Sequence, residues 1–148
     1  MDTKKTTIRW GSIFLWSILA FILTFILVMI VIMVYATVLR FQARGAPDQA
    51  QIAQFATVFG MWGGLIITLL LTFLASILVA RKAKSAAQIN GLIVGIIVVV
   101  LSLIWDIMFP ESFGLTTIIF TILTVAAGWL GFVVISKKKV QQGTLSVN

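Results

Sequence analysis

The sequence predicts an all-α integral membrane protein: a bundle of four transmembrane helices, both termini cytoplasmic, with the first two helices extending beyond the membrane on the outside. Three observations carry this reading. Of 148 residues, 61% are hydrophobic and 10% are charged, against about 25% charged in an ordinary soluble domain. The apolar residues fall into four continuous runs, each long enough for the ~20 residues that a helix needs to cross a bilayer. The basic residues gather beside those runs, on alternate connections. A soluble chain of this size buries only about two-thirds of its unfolded surface, so lipid must solvate the rest. A β-barrel would instead alternate apolar and polar residues along short segments. The chain reads as one membrane domain, residues 1–148, with spans at about 10–39, 55–80, 86–109 and 114–136.

The first span begins at Trp10 and stays apolar to about Leu39. Its basic lead-in is that of a secretory signal, but the apolar run, about 27 residues, exceeds the 7–15 of a signal core, and no A-x-A-like site ends it. It is read as a retained helix. Continued to Ala43, it would measure roughly 50 Å at 1.5 Å per residue, well beyond a hydrocarbon layer of about 30 Å. Gly45-Ala46-Pro47-Asp48 then forms a turn, with Pro47 in the first turn of the second helix and Asp48 at its positive dipole end. Gln49, Gln51 and Gln54 alternate with Ile52 and Phe55, so the second helix also starts before its fully apolar part. Together these predict a short helical hairpin projecting outside, tipped by Ala43 to Pro47. A strongly tilted or kinked first helix is the alternative.

Ser85-Ala86-Ala87-Gln88 has the S-x-x-Q form of a capping box and starts the third helix near Ala86. Phe109-Pro110-Glu111-Ser112 closes that helix and turns into the fourth. Short connections make sequential helices antiparallel neighbours. The polar tail, 140–148, is expected to be disordered.

Orientation follows from charge. Lys4, Lys5 and Arg9 precede the first span; Arg81, Lys82 and Lys84 lie between the second and third; Lys137, Lys138 and Lys139 follow the fourth. Nine of eleven Lys/Arg residues are therefore on one side, which the positive-inside rule makes cytoplasmic. A multi-pass protein of a bacterial-type plasma membrane is the expectation. The net charge of +7 is then a set of topology signals and contacts to anionic lipid headgroups. With no basic face on a soluble surface, nucleic acid is not an expected partner. Trp10, Trp105 and Trp129 read as interface anchors, and Trp16 and Trp62 as deeper packing residues.

Helices in lipid associate by close packing, for which small residues are needed. The second helix carries Ala56, Gly60, Gly64, Thr68, Thr72, Ser76 and Ala80, one every four positions. The fourth carries Gly114, Thr117, Thr121, Thr124, Gly128 and Gly131, and the third Ala87, Gly91 and Gly95. The first has little beyond Ser17, Ala20 and Thr24, so it should face lipid or a partner most. The bland reading of these rows is helix packing. The sharper one is a polar conduit lined by Thr68, Thr72, Thr121 and Thr124. Asp106, near the outer end of the third span, is the one acid close to membrane depth, and an interhelical ion pair with Arg40 would pin the first helix to the third. Asn90 reads as a cap-region or interhelical hydrogen-bonding residue.

The chain contains no His and no Cys, and its acids are Asp2, Asp48, Asp106 and Glu111, scattered over separate segments. Histidine bases, thiolate nucleophiles and most transition-metal sites have no residues to build them. No catalytic, cofactor-binding or metal-binding residues are expected, and enzyme is the weakest class. The first expectation is a structural or accessory subunit that binds itself or a larger membrane complex through helix packing. The alternative is a small oligomeric channel or transporter with a Thr/Ser-lined path.

Overall fold

A computed structural model describes residues 8–43, 46–82, 87–108 and 115–145, with the backbone alone at 87, 115–116 and 136–145. Its four helices are α1 (Trp10–Gln42), α2 (Gln49–Lys82), α3 (Ala87–Met108) and α4 (Leu115–Leu145). All four are long and apolar enough to span a membrane. No strand occurs among the described residues.

Local chemistry explains the ends that can be seen. α1 closes on Ala43, whose N–H donates to the Leu39 carbonyl at 2.9 Å. Asp48 caps α2: the Ala50 N–H donates to its Oδ1 at 2.9 Å, satisfying an orphan donor of the first turn. Pro47 therefore precedes the helix rather than sitting inside it. The Ser85–Ala86 half of the expected capping box and the 109–114 turn lie outside the described residues, as do Lys4, Lys5, Arg44, Gly45 and Lys84. α4 remains helical to Leu145, past Val140 where the sequence reading ends order. Lys and Gln are good helix formers, so the helix can continue past the apolar run.

The helices pack as neighbouring antiparallel pairs, with α1 also against α3 and α2 against α4. Contacts set their register. Gly64 faces Val28 and Tyr35 stacks on Phe55, fixing α1 against α2. Phe25 meets Trp105, with ring centroids 4.5 Å apart, fixing α1 against α3. Gly91 meets Gly128 and Gly95 meets Thr124, fixing α3 against α4. The core lies toward the Trp10 end, around Ile13, Ala20, Ala75, Val79 and Val94. α1 is the least buried helix and α2 the most, as the scarcity of small residues in α1 leads one to expect.

The register has a consequence. Because Trp105, three residues from the end of α3, sits beside Phe25, α1 runs past the described end of α3 from about residue 29 to Gln42. α2 accompanies it over about 49–61. At this end α1 and α2 thus run past the described parts of α3 and α4 by roughly 20 Å.

Candidate functional site

Two regions concentrate the sequence-predicted residues: a tight junction of α2, α3 and α4 near the Trp10 end, and the overshooting hairpin at the Met108 end.

The junction is built on absent side chains. A Cβ at Gly128 would lie 2.9 Å from the Gly91 carbonyl oxygen and 3.0 Å from the Gly95 backbone. One at Gly131 would lie 2.8 Å from the Phe73 carbonyl oxygen, and one at Gly91 2.8 Å from Ser76 Oγ. Backbones approach this closely only where nothing projects between them. The Ser76 hydroxyl donates to the Gly128 carbonyl, across from α2 to α4. Gly91, Gly95, Gly128, Gly131 and Ser76 are thus brought together as one three-helix contact.

The rest of the α2 row behaves differently. Gly64 makes ordinary contact with Val28 at 3.7 Å, while Gly60 has open space where a Cβ would stand. Gly63, which the four-residue spacing missed, makes room for the ring of Phe59 one turn earlier. The signal was present: Phe59 precedes Gly63 by four positions, the distance at which helical side chains overlie one another.

The hydroxyls of the conduit reading turn back on their own helices. Thr68 donates to the Gly64 carbonyl at 2.8 Å, Thr121 to Thr117 at 2.9 Å and Thr124 to Phe120 at 2.8 Å. Thr68, Thr72 and Thr124 are buried, and Thr121 is partly so. Four groups in the core are different: the hydroxyls of Ser17 and Thr72 and both amide atoms of Asn90 are fully buried with no protein partner among the described residues, as is Nε1 of half-buried Trp16.

Arg40 and Asp106 are not brought together. Trp105 stands beside Phe25, so Asp106 is level with the middle of α1, and Arg40 lies fifteen residues, about 22 Å, further along. Both residues are near helix ends in the sequence, but the ends are at different heights. Among the described residues no group of His, Cys, Asp or Glu is arranged to hold a metal ion.

The hairpin is welded by an aromatic stack: Tyr35 on Phe55 at 3.8 Å between ring centroids, and Phe55 on Phe59 at 5.5 Å. Its outward surface is apolar, with Met29, Ile30, Met33, Val34, Val38 and Phe41 all exposed on α1. Trp62, expected to pack inside, is 57% exposed at the base of the hairpin, near the level of the described end of α3. Comparison of the chain with protein-family models, with curated proteins and with solved structures gave no match in any of the three.

Proposed function

We propose that this protein is a structural or accessory subunit of a membrane assembly, held rigid by the glycine junction and presenting the α1–α2 hairpin outside the bilayer. The observation that carries the reading is the overshoot of α1 and α2 past the described ends of α3 and α4 at the Met108 end, with apolar side chains exposed along it.

Tryptophan supports the placement. Trp10 and Trp129 are level with each other, through the Ile13–Val94 core and the Gly91–Gly128 contact, and Trp105 and Trp62 lie toward the other end. All four are exposed, as indoles at a lipid–water interface are. Trp62 stands about 7 Å further out than Trp105, and the two ends are separated by roughly 22–30 Å, close to the ~30 Å of a hydrocarbon core. The bilayer then covers α3, α4 and the matching lengths of α1 and α2, and the hairpin lies beyond it. The nine basic residues that flank the spans on one side in the sequence support cytoplasmic termini in a plasma membrane and contact with anionic headgroups there.

Mild detergent extraction followed by native mass measurement tests the reading. A species larger than one 16.2 kDa chain, with its lipid, is expected. A lone monomer would contradict it. The second reading, an oligomeric channel or transporter, draws on Ser17, Thr72 and Asn90, whose buried polar atoms lack protein partners among the described residues. Flux of small ions or solutes through reconstituted protein, lost in Thr72→Val, would favour it.

A further inference from the structure

We infer that Arg9 and Lys82 form one site for the phosphate of an anionic phospholipid, at the Trp10 end of the groove between α1 and α2. The inference rests on the membrane placement argued above and narrows its general headgroup contact to one discrete site. Register brings the two cations together. Val28 of α1 meets Gly64 of α2. Arg9 stands nineteen residues before Val28, and Lys82 eighteen after Gly64, so on antiparallel helices the two are level within about 1.5 Å. The Tyr35–Phe55 stack gives the same register within two residues. Eighteen residues are also five full turns, so Lys82 lies on the same face of α2 as Gly64, the face turned toward α1. Arg9 is the N-cap of α1, and Ile8 before it packs on the buried cluster that includes Val79 of α2. Axes of packed helices lie about 8–10 Å apart, a gap that two long basic side chains can close around one anion.

Charge and apolar surface identify the ligand. Arg9, Lys82 and the neighbouring Arg81 are all exposed, and the acids among the described residues, Asp48 and Asp106, both lie toward the Met108 end. Like charges set side by side repel, and an anion between them replaces that repulsion with charge-assisted hydrogen bonds. A phosphate suits the pair, because the guanidinium fork takes two of its oxygens while the ammonium acts as a point charge. Trp10 follows Arg9 and stacks on Phe14 at 6.0 Å between ring centroids. Both rings are about half exposed, and they lie one and five residues deeper along α1 than Arg9. A phosphate held here therefore has an apolar surface on its bilayer side, where an acyl chain would lie. That surface selects a phospholipid over a free phosphate.

Titration of lipid into the purified full chain in an uncharged detergent, read by native mass measurement, tests the site. Phosphatidylglycerol is expected to be retained on the chain, and phosphatidylcholine to bind more weakly. Arg9→Gln and Lys82→Gln should each weaken phosphatidylglycerol binding about fivefold, and together roughly thirtyfold. Lys137→Gln with Lys139→Gln removes the same charge from the cluster after the fourth span and should weaken it about twofold at most. Arg9→Lys with Lys82→Arg keeps both charges and should bind nearly as the native chain does. Weakening there as large as in the glutamine pair would reflect a damaged fold and overturns the inference. Equal weakening by the two double-glutamine variants, or equal binding of the two lipids, also overturns it. So does displacement of the lipid by inorganic phosphate, which would show a site for the free anion. Lipid held through Arg9 and Lys82 on a chain that stays monomeric leaves the site standing and contradicts the accessory-subunit reading. A larger assembly whose lipid binding ignores both residues does the reverse.

Discussion

Gly128 and Gly60 occupy equivalent places in two rows of small residues, yet they have opposite surroundings. A methyl group at Gly128 would meet the Gly91 and Gly95 backbones, which cannot swing aside, whereas one at Gly60 meets open space. Gly128→Ala is therefore expected to cost about 1–3 kcal/mol, the usual range for overpacking, and Gly60→Ala to leave stability unchanged or slightly raised, since Ala is the better helix former. Thermal unfolding of the two variants in the same detergent measures the contrast; equal losses would contradict it. Asn90 gives a second test. Its amide is fully buried without a protein partner among the described residues, a state that costs about 1–3 kcal/mol. Asn90→Val, of comparable volume, should hold or raise stability in the same assay. A loss above 1 kcal/mol would mean that the amide is satisfied in the membrane. At this scale spacing indicated the small residues that can allow close approach, but not which of them do. That depends on helix rotation and register, and neither is written in a row of small residues. The same ignorance underlies Arg40 and Asp106, matched by nearness to a helix end and separated by the different heights of those ends.

At the scale of elements, the four helices and most of their bounds were legible, because continuous apolar runs of this length have one backbone solution in lipid. The extra length of α1 and α2 was legible too, from the early glutamines of α2 and the unbroken run of α1. What was not legible is how the arms hold together. The Tyr35–Phe55–Phe59 stack depends on a pairing between helices that only the folded register defines. An aromatic pair of this kind contributes about 0.5–1.5 kcal/mol. Tyr35→Ala should therefore speed amide hydrogen exchange in the outer parts of α1 and α2 by roughly threefold to tenfold, while exchange around Gly91 and Gly128 stays as it was. Uniform acceleration through both regions would show that the hairpin is not a separate unit. The helical continuation of α4 to Leu145 was missed for a different reason: polarity was read as disorder, although Lys and Gln favour helix once a preceding turn exists to extend.

For the whole molecule, the account is one of mismatch. At the Met108 end α1 and α2 run past the described parts of α3 and α4 by roughly 20 Å; the excess exposes apolar side chains along α1 and is held by the aromatic stack, and on the reading proposed here it lies outside the membrane. Everything proposed about function descends from that geometry. It is tested most directly by labelling single-cysteine variants in intact cells with a membrane-impermeant maleimide. Gln42→Cys and Gln51→Cys, in the hairpin, should label at once from outside. Lys82→Cys, at the opposite end of α2, should label only after the membrane is opened, and Ile104→Cys, at lipid depth in α3, should resist throughout. Protection of both hairpin positions, or outside labelling of Lys82→Cys, would contradict the account.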